Sequence, residues 1–215
     1  MKKIFTIALL ALTCVQAFAA SSVLKEFTDK VNGSKVAFDY TYSLKNSKMK
    51  MTGSGKVTVQ GDAFYMNGNG LEVWCDGKTS WVVDRESKEA VIETIVPSVA
   101  DYFANPALLV VNVDKAFDEV SSVTGTFGGK SVRVSTLKPK ADFDASIGGT
   151  SITSLKLYFA ADKPVLVGAE AAVDDGTVTV FNISGMKFME KESSLNDFRF
   201  NEQSLDSSYV ITDLR

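Results

Sequence analysis

The sequence contains no histidine, and that absence decides which chemistry the other side chains can do. Ser-His-Asp and Cys-His nucleophilic catalysis, histidine-ligated zinc and haem, and a histidine pH switch are all removed. Carboxylate, lysine, serine and tyrosine chemistry remains. Asp142-Phe143-Asp144-Ala145-Ser146 begins like a calcium loop, but its sixth position is Ile147 where glycine is needed and its twelfth is Thr153 where glutamate is needed. It reads as a solvated acidic loop. Gly53-Ser54-Gly55 and Gly68-Asn69-Gly70 resemble pieces of phosphate-binding loops, yet neither opens a helix and no Gly-Lys-Ser/Thr follows, so both read as turns. There is no Gly-x-Ser-x-Gly elbow, and no spacing among the carboxylates selects a glycosidase pair. Cys75 has no histidine to activate it and reads as a small apolar side chain in a strand. The expectation is a protein that is not an enzyme and uses no metal or cofactor.

The chain has 215 residues, 45% hydrophobic and 23% charged, with 23 Lys+Arg against 26 Asp+Glu. This length suits one domain with a sizeable core. A net charge of -3 offers no basic field for nucleic acid. Residues 1–20 read as a secretory signal: Lys2 and Lys3, an apolar run from Ile4 to Leu12, then Ala17-Phe18-Ala19 as a small-x-small cleavage site. The run is far shorter than the ~20 residues a transmembrane helix needs. Residues 21–215 are therefore expected to form a single soluble, exported domain, with one cysteine and hence no internal disulfide. Cys14 follows Leu12-Thr13, where a lipid-attachment box places a small residue, so it reads as leader, with lipidation the alternative.

From Ser22 to Asn32, Leu24, Phe27 and Val31 recur at helical spacing, with Ser21 or Ser22 as N-cap and Gly33 beyond the end. The period then changes to two: Val36, Phe38, Tyr40, Tyr42 and Leu44 alternate with smaller or polar residues. Further strands are expected at 56–59, 63–66, 71–75, 79–84 and 90–95, separated by Gly61-Asp62, Asn67 to Gly70, Asp76-Gly77 and Arg85 to Lys88. The stretch 97–111 breaks the alternation: Val99, Tyr102 and Phe103 sit at helical spacing, and Asn105-Pro106 has the form of an N-cap with proline at N1, leading to Leu108 and Leu109. Strands resume at 130–136, 154–160, 165–169, 178–183 and 197–201. Helices fall at the start and middle without βαβ alternation, so the sheet is antiparallel and strongly curved or sandwiched.

The apolar inventory is rich. Phe38, Tyr40, Tyr42, Met49, Met51, Phe64, Met66, Trp74 and Trp81 crowd the first hairpins, and Phe103, Leu108, Leu109 and Phe117 supply helical cover. Adaptable methionines and flat aromatics can line a ligand cavity, or they can simply fill a core. Periodicity alone favours the core.

The order of residues from Gly55 onward resembles a known family. Gly55-Lys56-Val57-x-Val59, Gly61-Asp62-x-Phe64 and Trp74-x-Asp76-Gly77-Lys78-Thr79-x-Trp81-x-x-Asp84 are similar to the periplasmic outer-membrane lipoprotein carriers, the LolA-like superfamily. The likeness continues through Asn105-Pro106 to Leu109, Leu137-x-Pro139-Lys140, Asp174-Asp175-Gly176-x-Val178 and Leu195-Asn196-Asp197-x-x-Phe200. It implies a mainly β (α+β) fold, a curved antiparallel sheet forming an incomplete half-barrel, with its concave apolar face covered by short helices. It implies a monomeric carrier without cofactor that takes acylated lipoproteins or related lipids from an inner-membrane ABC-type donor to an outer-membrane acceptor. The residues expected to bind acyl chains are Phe38, Tyr40, Tyr42, Val57, Val59, Phe64, Met66, Trp81, Leu108 and Leu109. One departure stands out: the family places an Arg-Pro pair just after the strand matching 56–59, and this chain has Gln60-Gly61-Asp62. The arginine latch is therefore not carried over. The alternatives are an envelope scaffold domain whose cavity is filled by its own side chains, an acceptor lipoprotein anchored through Cys14, and an enzyme.

Overall fold

The computed structural model describes residues 22–46, 48–95, 102, 105–111, 113–141, 146–147 and 150–215. The leader, Cys14 and Ser21 lie outside the described residues, as do Pro97, Val99 and Phe103 of the expected central helix and Asp142 to Ala145 of the acidic loop. No helix among the described residues is long and apolar enough to cross a membrane.

Helix α1 (Val23–Asn32) starts where Ser22 caps it, the Ser22 hydroxyl oxygen accepting from the Leu24 N–H at 3.2 Å. Val23, Leu24, Phe27, Thr28 and Val31 form its buried stripe. The strands that follow are β1 (Lys35–Lys45), β2 (Lys50–Gln60), β3 (Ala63–Gly68), β4 (Leu71–Cys75), β5 (Thr79–Asp84) and β6 (Glu89–Thr94), an antiparallel meander. The one-turn helix α2 (Val113–Ala116) runs straight into β7 (Phe117–Phe127). β8 (Lys130–Pro139), β9 (Ser146–Ile147), β10 (Thr150–Ala160), β11 (Leu166–Val173), β12 (Val178–Met189) and β13 (Val210–Asp213) complete the set. Their order is β13-β6-β5-β4-β3-β2-β1-β12-β11-β10-β8-β7, with β9 paired to β10 off this path. The sheet is mostly antiparallel, open, and not closed into a barrel.

One ion pair reveals its curvature. Lys115 of α2, two residues before edge strand β7, reaches Asp62 in the β2–β3 turn at 3.7 Å. β7 and β2 stand six positions apart in the sheet, which at ~4.8 Å per strand is roughly 29 Å if flat. Only a strongly bent sheet, crossed on its hollow side by the chain around α2, brings them together.

Several expectations need correction. Phe117 is the first residue of an edge strand, not helical cover, and the sequence does not announce β7 as a whole. Residues 197–201 do not form a strand: Asn196–Phe198 is a single 3₁₀ turn. β13 is also absent from the expected strands, and it joins β6 in parallel, which makes the sheet mixed. Around Asn105 to Val111 the chain makes successive turns, the Asn105 side chain accepting from the Ala107 N–H at 2.9 Å. That is the expected cap, but it opens turns and not a regular helix.

Candidate functional site: the covered concave face

Strand registers place the expected residues in rows. Phe38 pairs through Val57 and Met66 to Val73, and Val36 pairs through Val59 and Phe64 to Cys75. On the other side of β1, Tyr42 pairs through Phe181, Ala169 and Leu157 to Ser135. All these side chains share one face of the sheet, because directly paired residues point the same way. Phe38, Tyr40, Val57, Val59, Phe64 and Leu109 are buried in one continuous cluster, and Tyr42, Met66 and Leu108 are half-buried against it.

Trp81 does not join them. It points through the opposite face into a second cluster with Val83, Ala90, Ile92 and Phe200. Its indole N–H donates to the Glu202 carboxylate at 2.9 Å. Tyr65, Trp74, Trp81 and Ile92 form a row on this convex side, and Phe200 packs against Trp74 with ring centres 4.7 Å apart and the rings tilted by 46°. The chain after β12 supplies that cover. Gln60 pins this crossing: its amide donates to the Glu192 carbonyl at 2.9 Å and accepts from the Glu192 N–H at 2.8 Å.

Residues beyond the expected list complete the concave face: Phe27 of α1, Leu137, Leu155, Leu157, Phe159, Ala169, Ala171, Phe181 and Ile183. Their signal is present as period-two runs in 155–159 and 181–183. Phe27 meets Phe159 with ring centres 5.2 Å apart. Over the other half lies the cover of Tyr102, Ala107, Leu109, Val110, Val111 and Val113, all buried. Tyr102 stacks edge-on against Phe117 with ring centres 5.0 Å apart. Tyr42, Met66, Val82, Ile95 and Leu108 remain partly exposed around this cover and form the rim of the hollow.

The tyrosines do not stand up as walls. A Cβ built on Gly55 would lie 2.7 Å from the Tyr40 hydroxyl, and one on Gly53 would lie 2.5 Å from the Tyr42 ring. Both rings therefore lie across glycine backbone, flat on the floor of the hollow. Burial, with a smaller contribution from Tyr42, raises the Tyr40 phenol above its ordinary value.

The polar content of the hollow is small. Ser135 and Thr179 are buried with hydroxyl oxygens that find no partner among the described residues, and the same holds for one carboxylate oxygen of Glu119. The other oxygen of Glu119 accepts from the Ser22 hydroxyl at the start of α1. Cys75 lies on the same face, and burial pushes its thiol up to about 11, so at neutral pH it is protonated and a poor nucleophile. Among the described residues no group of three or more His, Cys, Asp or Glu could hold a metal ion. What this arrangement offers is an apolar face covered by a separate segment of the chain.

The architecture has relatives among solved structures. A LolA superfamily protein, NE2245 from Nitrosomonas europaea, aligns over 84% of this chain and 99% of its own with a TM-score of 0.50 and 11% identity. An uncharacterized conserved protein from Thermus thermophilus aligns over 88% of this chain and 98% of its own with a TM-score of 0.50 and 9% identity. At these identities the likeness is one of fold, and the fold is LolA-like. No protein-family model and no curated protein matches the sequence.

Proposed function

We propose that this chain is an exported, periplasmic carrier that binds the acyl chains of lipoproteins or related lipids on the concave face and passes them towards the outer membrane. The observation that carries the proposal is the hollow itself: one apolar face lined by Phe38, Val57, Val59 and Phe64, capped by a separate segment, and rimmed by half-exposed Tyr42, Met66, Val82 and Leu108. The LolA-like fold supports it. Donor and acceptor proteins at the two membranes belong to the same proposal.

With Val59 and Leu109 both 0% exposed, the hollow as described is filled by the protein's own cover, so binding means exchange. A chain of about sixteen carbons gains ~12 kcal/mol on leaving water. Lifting Tyr102, Leu109, Val110 and Val111 off the sheet costs roughly 6 to 12 kcal/mol at 1.5–3 each. The two nearly cancel, which suits a carrier that must also release its cargo.

The test is retention of radiolabelled palmitate by the mature protein through gel filtration. Wild type is expected to retain it, and Leu108→Arg, which puts a charge on the rim without burying it in the floor, is expected to lose it while keeping its circular dichroism. Equal retention by the folded variant would remove the concave face as the site. If wild type retains nothing, and native mass spectrometry of gently purified protein gives a bare mass, the self-filled scaffold reading replaces the carrier.

A further inference from the structure

On this carrier reading, we propose that the β1–β2 hairpin is an arm that seats the protein on an anionic lipid surface and continues the apolar hollow out to that surface. The hairpin extends past the end of β3. β1 is paired with β12 as far as Lys45, but β2 loses its β3 partner beyond Gly55. Residues 50–52 therefore present a free edge, about 10 Å long at ~3.3 Å per residue, because the Asn69 side chain covers Gly53 and accepts from the Ser54 N–H at 3.2 Å. The tip is well formed: Asn46 donates its N–H to the Met49 carbonyl at 3.0 Å, and its side chain accepts from the N–H groups of Lys48 and Met49 at 2.9 and 2.8 Å.

The two sides of the arm differ. Leu44 pairs with Met51 on the side that also carries Tyr42 and Tyr40, and Met49, paired with Asn46, follows in the same alternation. Met49 and Met51 are 46% and 47% exposed. A mainly apolar stripe thus runs from the floor of the hollow through Tyr42, whose hydroxyl accepts from the Asn69 side-chain amide at 3.2 Å, and on through Leu44 and Met51 to Met49. The reverse side carries Lys45 directly opposite Lys50, with Lys48 at the tip, all exposed. Like charges placed opposite each other destabilise a hairpin, and none of these lysines is among the described ion pairs.

On the β12 side the tip is flanked by the turn bearing Asp174 and Asp175, where the Asp175 carboxylate accepts from the Thr177 N–H at 2.7 Å. Three lysines against two aspartates leave a local positive excess on a chain whose net charge is -3. Exposed methionines beside unpaired lysines match a bilayer of anionic headgroups: ammonium groups meet phosphate while the thioethers enter the acyl boundary. A lipid chain could then pass from bilayer to hollow along a mainly apolar path.

The experiment is co-sedimentation of the mature protein with phosphatidylglycerol–phosphatidylcholine vesicles, compared with pure phosphatidylcholine vesicles. Wild type is expected to prefer the anionic vesicles and to lose that preference at high salt. Lys45→Gln/Lys48→Gln/Lys50→Gln should lower partitioning on the order of 100-fold, from about fivefold per lysine. Met49→Ser/Met51→Ser should lower it about tenfold or more, and that loss should persist at high salt. Equal binding to both vesicle types, or unchanged binding by both variants, overturns the proposal. So does binding to polyglutamate without binding to vesicles, which assigns the arm to an acidic protein instead. Palmitate retention measured on the same variants separates the two readings: retention without vesicle binding by wild type removes the arm alone, and vesicle binding without retention removes the carrier alone.

Discussion

Thr179 is a hydroxyl in the wrong solvent. It stands between Leu44 and Ala171 on the concave face, 1% exposed, with no partner for its oxygen among the described residues. Thr179→Val keeps the shape and removes the desolvated hydroxyl, so it should stabilise the protein by about 1 kcal/mol in urea denaturation. A loss of stability would mean that the hydroxyl is satisfied in solution. Cys75 gives a pH dependence with a definite sign. Its thiol moves from 9.0 to about 11 on burial, so the folded state holds its proton more tightly than the unfolded state. This contribution is fully present below pH 9 and is lost as pH rises towards 11. Cys75→Ala should flatten that alkaline decline, and the wild-type thiol should react with a disulfide reagent at pH 8 only after denaturation. At this scale the sequence reveals types and alternation but not always sides. Val36, Phe38 and Tyr40 are assignable to one face because Ala37, Asp39 and Thr41 separate them. Trp81 is not, since β5 buries Ser80, Trp81 and Val83 together and so hides its alternation.

Strands with turn chemistry at both ends are legible. Asn69-Gly70, both at positive φ, closes the β3–β4 hairpin as an Asn-Gly pair should. β7 is illegible for a physical reason: as an edge it carries Val120 and Val123 more than half exposed among serines and threonines, so no apolar period marks it. β13 is exposed along its whole length and is specified by its pairing with β6, not by burial. Residues 196–200 mislead in the other direction. Phe198 and Phe200 alternate like a strand, yet they are plugs on the convex surface. The glycines of β2 look like a weakness in a strand, but they make room for Tyr40 and Tyr42. Gly55→Ala places a Cβ 2.7 Å from the Tyr40 hydroxyl and 2.4 Å from the Asn67 carbonyl, and should cost about 1–3 kcal/mol. Denaturation of Gly55→Ala in a Tyr40→Leu background should recover part of that loss, the Asn67 clash keeping the remainder; strict additivity of the two changes would show that ring and glycine are not coupled.

At the scale of the whole molecule, a single sheet has two coated surfaces with different duties. Its hollow side is covered by α1 and the segment around 105–116, whose removal the carrier reading requires. Its outer side is covered by the chain after β12, tied down by Gln60, by the tilted ring contact of Phe200 with Trp74 and by the edge pairing of β13. Exchange of cargo on one side therefore need not disturb the other. Both tryptophans of the chain, Trp74 and Trp81, belong to the outer side. The intrinsic emission of this protein consequently reports the strap and not the hollow. A titration with an acyl ligand can reach full occupancy while the tryptophan spectrum stays still, and a red shift on warming marks the strap peeling away, so optical screens for cargo need a reporter placed on Tyr42, Met66 or Leu108.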